Sequence, residues 1–121
     1  MRSAVETVQA WHDAVNARDI DAALACCRPD VVVGGPRGDG EGHDLMRAWL
    51  QRSGIELEPQ KPLEERGGRV VVHELARWRT ADAPAEVPSQ EPAETWVVFE
   101  TAEGLVSAVR RYETPEQVPA P

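Results

Sequence analysis

The chain has one phenylalanine, one tyrosine and one lysine in 121 residues, only two cysteines, and thirteen basic residues against twenty-one acidic ones. Each shortage excludes something. The basic deficit leaves a formal charge of −8, a field that repels polyanions, because nucleic-acid affinity rests on cationic side chains releasing counterions from phosphates. No nucleic acid is expected as a partner. No apolar run approaches the about 18 residues a membrane span needs, so no membrane is expected either. Cys26 and Cys27 are neighbours and cannot staple distant segments, and Met1-Arg2-Ser3-Ala4-Val5-Glu6 carries no apolar leader core. A reduced, cytoplasmic setting is the expectation.

What is present is ordinary for a globular domain: 41% apolar and 28% charged residues. A chain of this length buries about two thirds of its surface around one core. A wholly disordered chain is thereby excluded. Ala4, Val8, Trp11 and Val15 stand at offsets 0, 4, 7 and 11, the stripe of a helix over 3–17. Asp19 caps a second, short helix carrying Ile20, Ala23, Leu24 and Cys27, stopped at Arg28-Pro29. Val31-Val32-Val33 reads as a buried strand, and the glycine-rich run 34–42 as a loop. A third helix opens at His43 and ends at Ser53-Gly54, where glycine supplies a left-handed cap.

Strands are expected over 55–65, 69–79, 94–101 and 105–112, with hairpin turns at Gly67-Gly68 and Glu103-Gly104 and a longer loop over 80–93. Helices followed by an antiparallel meander is an α+β layout. Alternation along 69–79 puts Val70, Val72, Glu74, Ala76 and Trp78 on one side and Val71, His73, Leu75, Arg77 and Arg79 on the other. Both sides are partly apolar, so one is expected to meet the helices and the other a second copy of the chain.

The string Val8-Gln9-Ala10-Trp11-His12-Asp13-Ala14-Val15-Asn16-Ala17-Arg18-Asp19-Ile20-Asp21, then Arg28-Pro29-Asp30 running into the valines, then Gly42-His43, resembles the nuclear transport factor 2-like superfamily, including its SnoaL-like proteins. The closing Glu103-Gly104-Leu105-Val106 and Tyr112 are similar to that family's last hairpin. The resemblance implies a cone: three N-terminal helices on a strongly curved, mainly antiparallel sheet over residues 1–113, followed by a flexible proline-rich tail, 114–121. It also implies a pocket and a homodimer paired through the outer sheet face. Members include ketosteroid isomerase, limonene epoxide hydrolase, scytalone dehydratase, polyketide cyclases and proteins without activity. Carried over residue by residue, the isomerase's oxyanion-hole tyrosine falls on Trp11, its general-base aspartate on Gly35 and its protonated acid on Thr95. None is retained, and the epoxide hydrolase's Arg-x-Asp pair has no counterpart.

In that register the pocket side holds Trp11, Trp78, Thr95, Val97, Phe99, Ala108 and Tyr112, with His43 at its rim. Glu74 and Arg110 are expected to meet there as a candidate catalytic pair, because a carboxylate leaving water stays charged only against a partner. In a functional role Glu74 would accept a proton or hydrogen bond and Arg110 would hold an anion, but the favoured reading is a structural one, with both groups toward strand ends in water or forming a pair that merely satisfies itself. His12 and His73 are read as surface or interface residues. No metal site is expected, since Arg77 stands where a zincin helix needs its second histidine, and no cofactor, since His43 replaces the third glycine of a dinucleotide loop. The leading expectation is a protein binding a small, largely apolar organic molecule without a recognisable catalytic set. An isomerase, lyase or cyclase using Glu74 and Arg110, and a structural dimerisation module, are the alternatives.

Overall fold

The computed structural model describes residues 2–35, 38–77 and 93–119. Helix α1, Ala4–Asn16, begins at a reciprocal cap: Glu6 N–H donates to Ser3 Oγ at 3.1 Å, and Ser3 N–H donates to Glu6 Oε1 at 2.9 Å. Its buried face carries Thr7, Val8, Trp11, His12, Ala14 and Val15. Helix α2, Ile20–Ala25, is capped by Asp19, whose carboxylate accepts from Ala22 N–H. Helix α3, His43–Ser53, closes on Gly54 in the left-handed conformation, φ 54°, as its sequence predicts.

The strands are β1 Cys27–Gly35, β2 Gly38–Glu41, β3 Glu56–Pro59, β4 Glu65–Arg66, β5 Arg69–Arg77, β6 Ala93–Ala102 and β7 Leu105–Tyr112. They form one curved sheet in the order β2-β1-β7-β6-β5-β3, with β4 beside β5. Every pairing is antiparallel except β1 with β7, which is parallel. The helices lie on one face. Trp11 and Val15 of α1, Leu24 of α2, and Met46 and Leu50 of α3 share a core with Val31, Val72, Val97, Phe99 and Val109 of the sheet.

Several expectations change, beginning with helix α2, which ends at Ala25, so that Cys27, Arg28 and Pro29 belong to β1. The strand over 55–65 is split into β3 and β4, because Pro59 and Pro62 supply no N–H to a ladder. The run 34–42 is not an open loop, since β2 pairs back on β1. Two of its glycines, Gly34 and Gly40, serve close approach rather than looseness. A Cβ on Gly34 would run into the Asp39 carboxylate, and one on Gly40 into the Leu45 side chain. Residues 78 and 79, the last of one expected strand, and the long loop over 80–92 lie outside the described residues. The expected tail holds a 3-10 turn, Pro115–Gln117, and Arg69 donates to the Pro119 carbonyl at 2.9 Å. Among the described residues no helix is long and apolar enough to cross a membrane.

Candidate functional site

The face that each side chain takes depends on one irregularity. Along the β6–β7 ladder Thr101 pairs with Val106, but Glu100 pairs with Ala108, so Ser107 is an extra residue in β7. A bulge of one residue exchanges the two faces of everything beyond it. Val106, before the bulge, is in the core. Beyond it the core-side residues are Val109 and Arg111, opposite Phe99 and Val97. Ala108, Arg110 and Tyr112 pair with Glu100, Val98 and Trp96 on the outer face. Strict alternation from Val106 places those three inside, which is why the sequence register assigns them to the pocket and misses Arg111.

The consequence for the expected pair is direct: Glu74 and Arg110 do not meet. Arg110 lies on the outer face, with Nε 3.3 Å from Asp39 Oδ2 and Nη1 3.3 Å from Glu100 Oε2. Partial desolvation works against its charge, but the hydrogen bonds to the two carboxylates prevail and hold the guanidinium above its ordinary range. Gly34 stands between Asp39 and Arg110 in the strand order, and its missing side chain leaves room for the Asp39 carboxylate.

Glu74 is on the inner face as expected, fully buried, but its partner is His12. The contact Nε2–Oε1 is 2.8 Å, and the other ring nitrogen, Nδ1, lies 2.8 Å from the Val8 carbonyl. A carbonyl only accepts, so Nδ1 carries a proton and donates. A single further proton then joins Nε2 to Oε1, as imidazolium with carboxylate or as imidazole with carboxylic acid, and the pair is neutral overall in both forms. Glu74 Oε2 is buried with no hydrogen-bond partner among the described residues. His12 is therefore not a surface residue. It continues the α1 stripe, since Val8, Trp11, His12 and Val15 fall at offsets 0, 3, 4 and 7.

A cavity of about 790 Å³ opens between α1, α3 and the inner sheet face. Its apolar wall consists of Trp11, Trp49, Ile55, Leu57, Val97 and Val109. The Trp11 and Trp49 rings are near parallel, 12° apart in plane with centroids at 6.5 Å. Val33, Gly34 and Gly38 of the β1–β2 hairpin form a further side. Three charged residues complete it: Arg52 from the last turn of α3, Arg111 from β7 and Glu113 just beyond β7. Burial draws the Arg111 guanidinium below the usual arginine range, while Glu113 acts to keep it charged.

Of the expected pocket residues, Trp11 and Val97 line this cavity. Phe99 lies behind Trp11, ring centroids 5.2 Å apart, and Thr95 is buried with its hydroxyl donating to the Tyr112 carbonyl at 3.0 Å. His43 is turned to β1, where Nε2 donates to the Cys27 carbonyl at 3.1 Å. Trp78 lies outside the described residues. Trp49 and both cavity arginines, Arg52 and Arg111, are absent from the expected pocket set. Arg52 carried a signal, because it lies three residues beyond Trp49 on α3. Among the described residues no group of three or more His, Cys, Asp and Glu side chains is placed to hold a metal ion.

Comparison with known proteins bears on the fold. No curated protein matches the sequence significantly. An NTF2-like protein of unknown function from Cytophaga hutchinsonii is similar with a TM-score of 0.77 at 14% identity, over 96% of this chain and 95% of that one. An LEH-like epoxide hydrolase of M. tuberculosis matches with a TM-score of 0.70 at 19% identity, over 93% and 84%. A computationally designed 17-OHP binder matches with a TM-score of 0.70 at 14% identity, over 94% and 92%. One architecture thus serves a hydrolase and a binder, and fold alone does not choose between them. At the sequence level the SnoaL-like domain matches residues 8–109, and the chain belongs to the SnoaL-like family.

Proposed function

We propose that this protein binds a small, largely apolar organic molecule in the cavity between α1, α3 and the sheet, without a catalytic set of its own. The observation that carries the reading is the cavity itself: about 790 Å³, with two near-parallel tryptophans and aliphatic walls. Ligand sites typically span about 300–1,000 Å³ and are mainly apolar with a few polar anchors. The enzyme alternative required Glu74 and Arg110 at one place, and they lie on opposite faces of the sheet. Pairing of two copies through the outer face belongs to the same proposal, supported by Val71, 42% exposed, near the stacked His73 and Trp96.

A thermal-shift and calorimetric screen with aromatic polyketides, terpenoids and steroids tests the binding. A ligand at 100 times its dissociation constant adds about 2.7 kcal/mol to stability. That gain should vanish in Trp49→Ala, which removes one side of the tryptophan pair. A screen in which every stabilising compound acts equally on Trp49→Ala overturns the assignment of the cavity.

A further inference from the structure

We infer that the ligand is an acid, a flat apolar body bearing one carboxylate or comparable anionic group, with the body against Trp49 and Trp11 and the anion toward Arg111 and Arg52. This rests on the cavity reading above and narrows it to a chemical class.

The argument begins with charge. The chain as a whole carries twenty-one acidic and thirteen basic residues, yet among the described residues the cavity lining reverses that balance, with Arg52 and Arg111 beside Glu113. Elsewhere among the described residues the inner face is kept neutral: its buried carboxyl, Glu74, is matched by His12. Arg111 is different in kind from the other late-strand arginine. The bulge at Ser107 turns it inward, onto the helix side of the sheet and into the cavity, while Arg110 is left on the outer face between Asp39 and Glu100.

Desolvation already works against the Arg111 charge. A second negative group brought to it from the ligand therefore gains more than it would beside a solvated arginine, because attraction strengthens as water is excluded. Guanidinium suits the task, since its planar fork can meet both oxygens of a carboxylate at once. The remaining lining suits a flat apolar body: the Trp49 ring, near parallel to the buried Trp11, and aliphatic side chains make up the rest of the wall.

The test is a matched pair of probes, 2-naphthoate and 2-naphthylmethanol, which share the ring system and differ in charge. Titration calorimetry at low ionic strength should show the acid binding at least about tenfold more tightly, the effect of one charge-assisted contact. Arg111→Met, which keeps an apolar stem, should bring the two probes to parity while leaving the alcohol within about twofold of the parent, as one neutral ligand loses no charge contact. Glu113→Gln removes the opposing carboxylate at an exposed position and should raise affinity for the acid and not for the alcohol, which keeps the inference testable if Arg111→Met fails to fold. Equal binding of acid and alcohol by the parent protein overturns the inference alone. Binding of neither probe overturns the cavity reading and this inference with it. A preference for the acid that survives Arg111→Met, or that Glu113→Gln leaves unraised, also refutes it.

Discussion

The two faces of the sheet each hold a carboxyl group bonded to a basic side chain, and they hold it on opposite terms. On the inner face Glu74 and His12 are 0% and 1% exposed and 2.8 Å apart. On the outer face Arg110 sits 3.3 Å from both Asp39 and Glu100, with side chains 28%, 45% and 43% exposed. Water solvates the outer trio, so its members gain little from one another and lose little if parted. The inner pair has no water to fall back on; it is tolerated because it is neutral as a unit, and each partner depends on the other. Sequence alone would rank Arg110 above His12 as the partner for Glu74, and burial reverses the order.

The contrast can be broken from the inside first. Glu74→Ala should cost about 3–5 kcal/mol, the penalty for stripping one member from a buried pair, read as a fall in the urea midpoint. Glu74→Gln should cost far less, since its amide can donate to Nε2 of neutral His12 while Nδ1 keeps the Val8 carbonyl. Equal losses for both variants would mean that charge, rather than the shared proton, holds the pair. A smaller effect is expected at the edge of the outer trio. Gly34→Ala places a methyl group where the Asp39 carboxylate lies, at a cost of roughly 1 kcal/mol, and Asp39→Ala in the same chain should relieve it. Arg110→Ala should cost less than about 1 kcal/mol and lose even that effect in high salt.

At neutral pH the smallest effect belongs to another buried inner-side group. Burial, with Cys26 adding to it and the Trp11 indole opposing, pushes the Cys27 thiol from 9.0 up to about 12. The unfolded thiol loses its proton above about 9, the folded one only above about 12. Between those values the unfolded chain binds fewer protons, so stability falls as pH rises. Below pH 9 the thiol contributes no pH dependence. Denaturation curves from pH 8 to 11 should show this decline in the parent and a shallower one in Cys27→Ala, and an identical slope would remove the thiol as its source.

Much of the fold was legible because the helices announce themselves. The spacing of Val8, Trp11 and Val15, the cap at Asp19 and the glycine after Ser53 each have one physical reading, and the structure follows it. The inner side of β5 was also legible, since strict alternation runs unbroken from Val70 to Ala76. β7 was not. Leu105–Tyr112 contains no glycine or proline to betray a bulge, so Ser107 looks like any strand residue and Arg110 and Arg111 exchange faces unseen. The hairpin of β1 and β2 was hidden for the opposite reason. Its glycines look like looseness, although Gly34 and Gly40 are small because a neighbouring side chain occupies their Cβ positions.

The parallel ladder between β1 and β7 sets Val32 beside Ala108 and Val33 beside Val109. The first long strand made therefore waits for the last one before it has a partner on that side, and β2, which hangs from β1 alone, waits with it. Closing so long a span of chain is entropically costly, and contacts of that separation slow folding. On the ribosome the α1 helix and the β5–β6 hairpin can form early, whereas the hairpin side of the cavity is fixed only once residue 109 has emerged. The cavity is the last part of this molecule to be built, and a chain cut short anywhere in β7 would leave it without a wall.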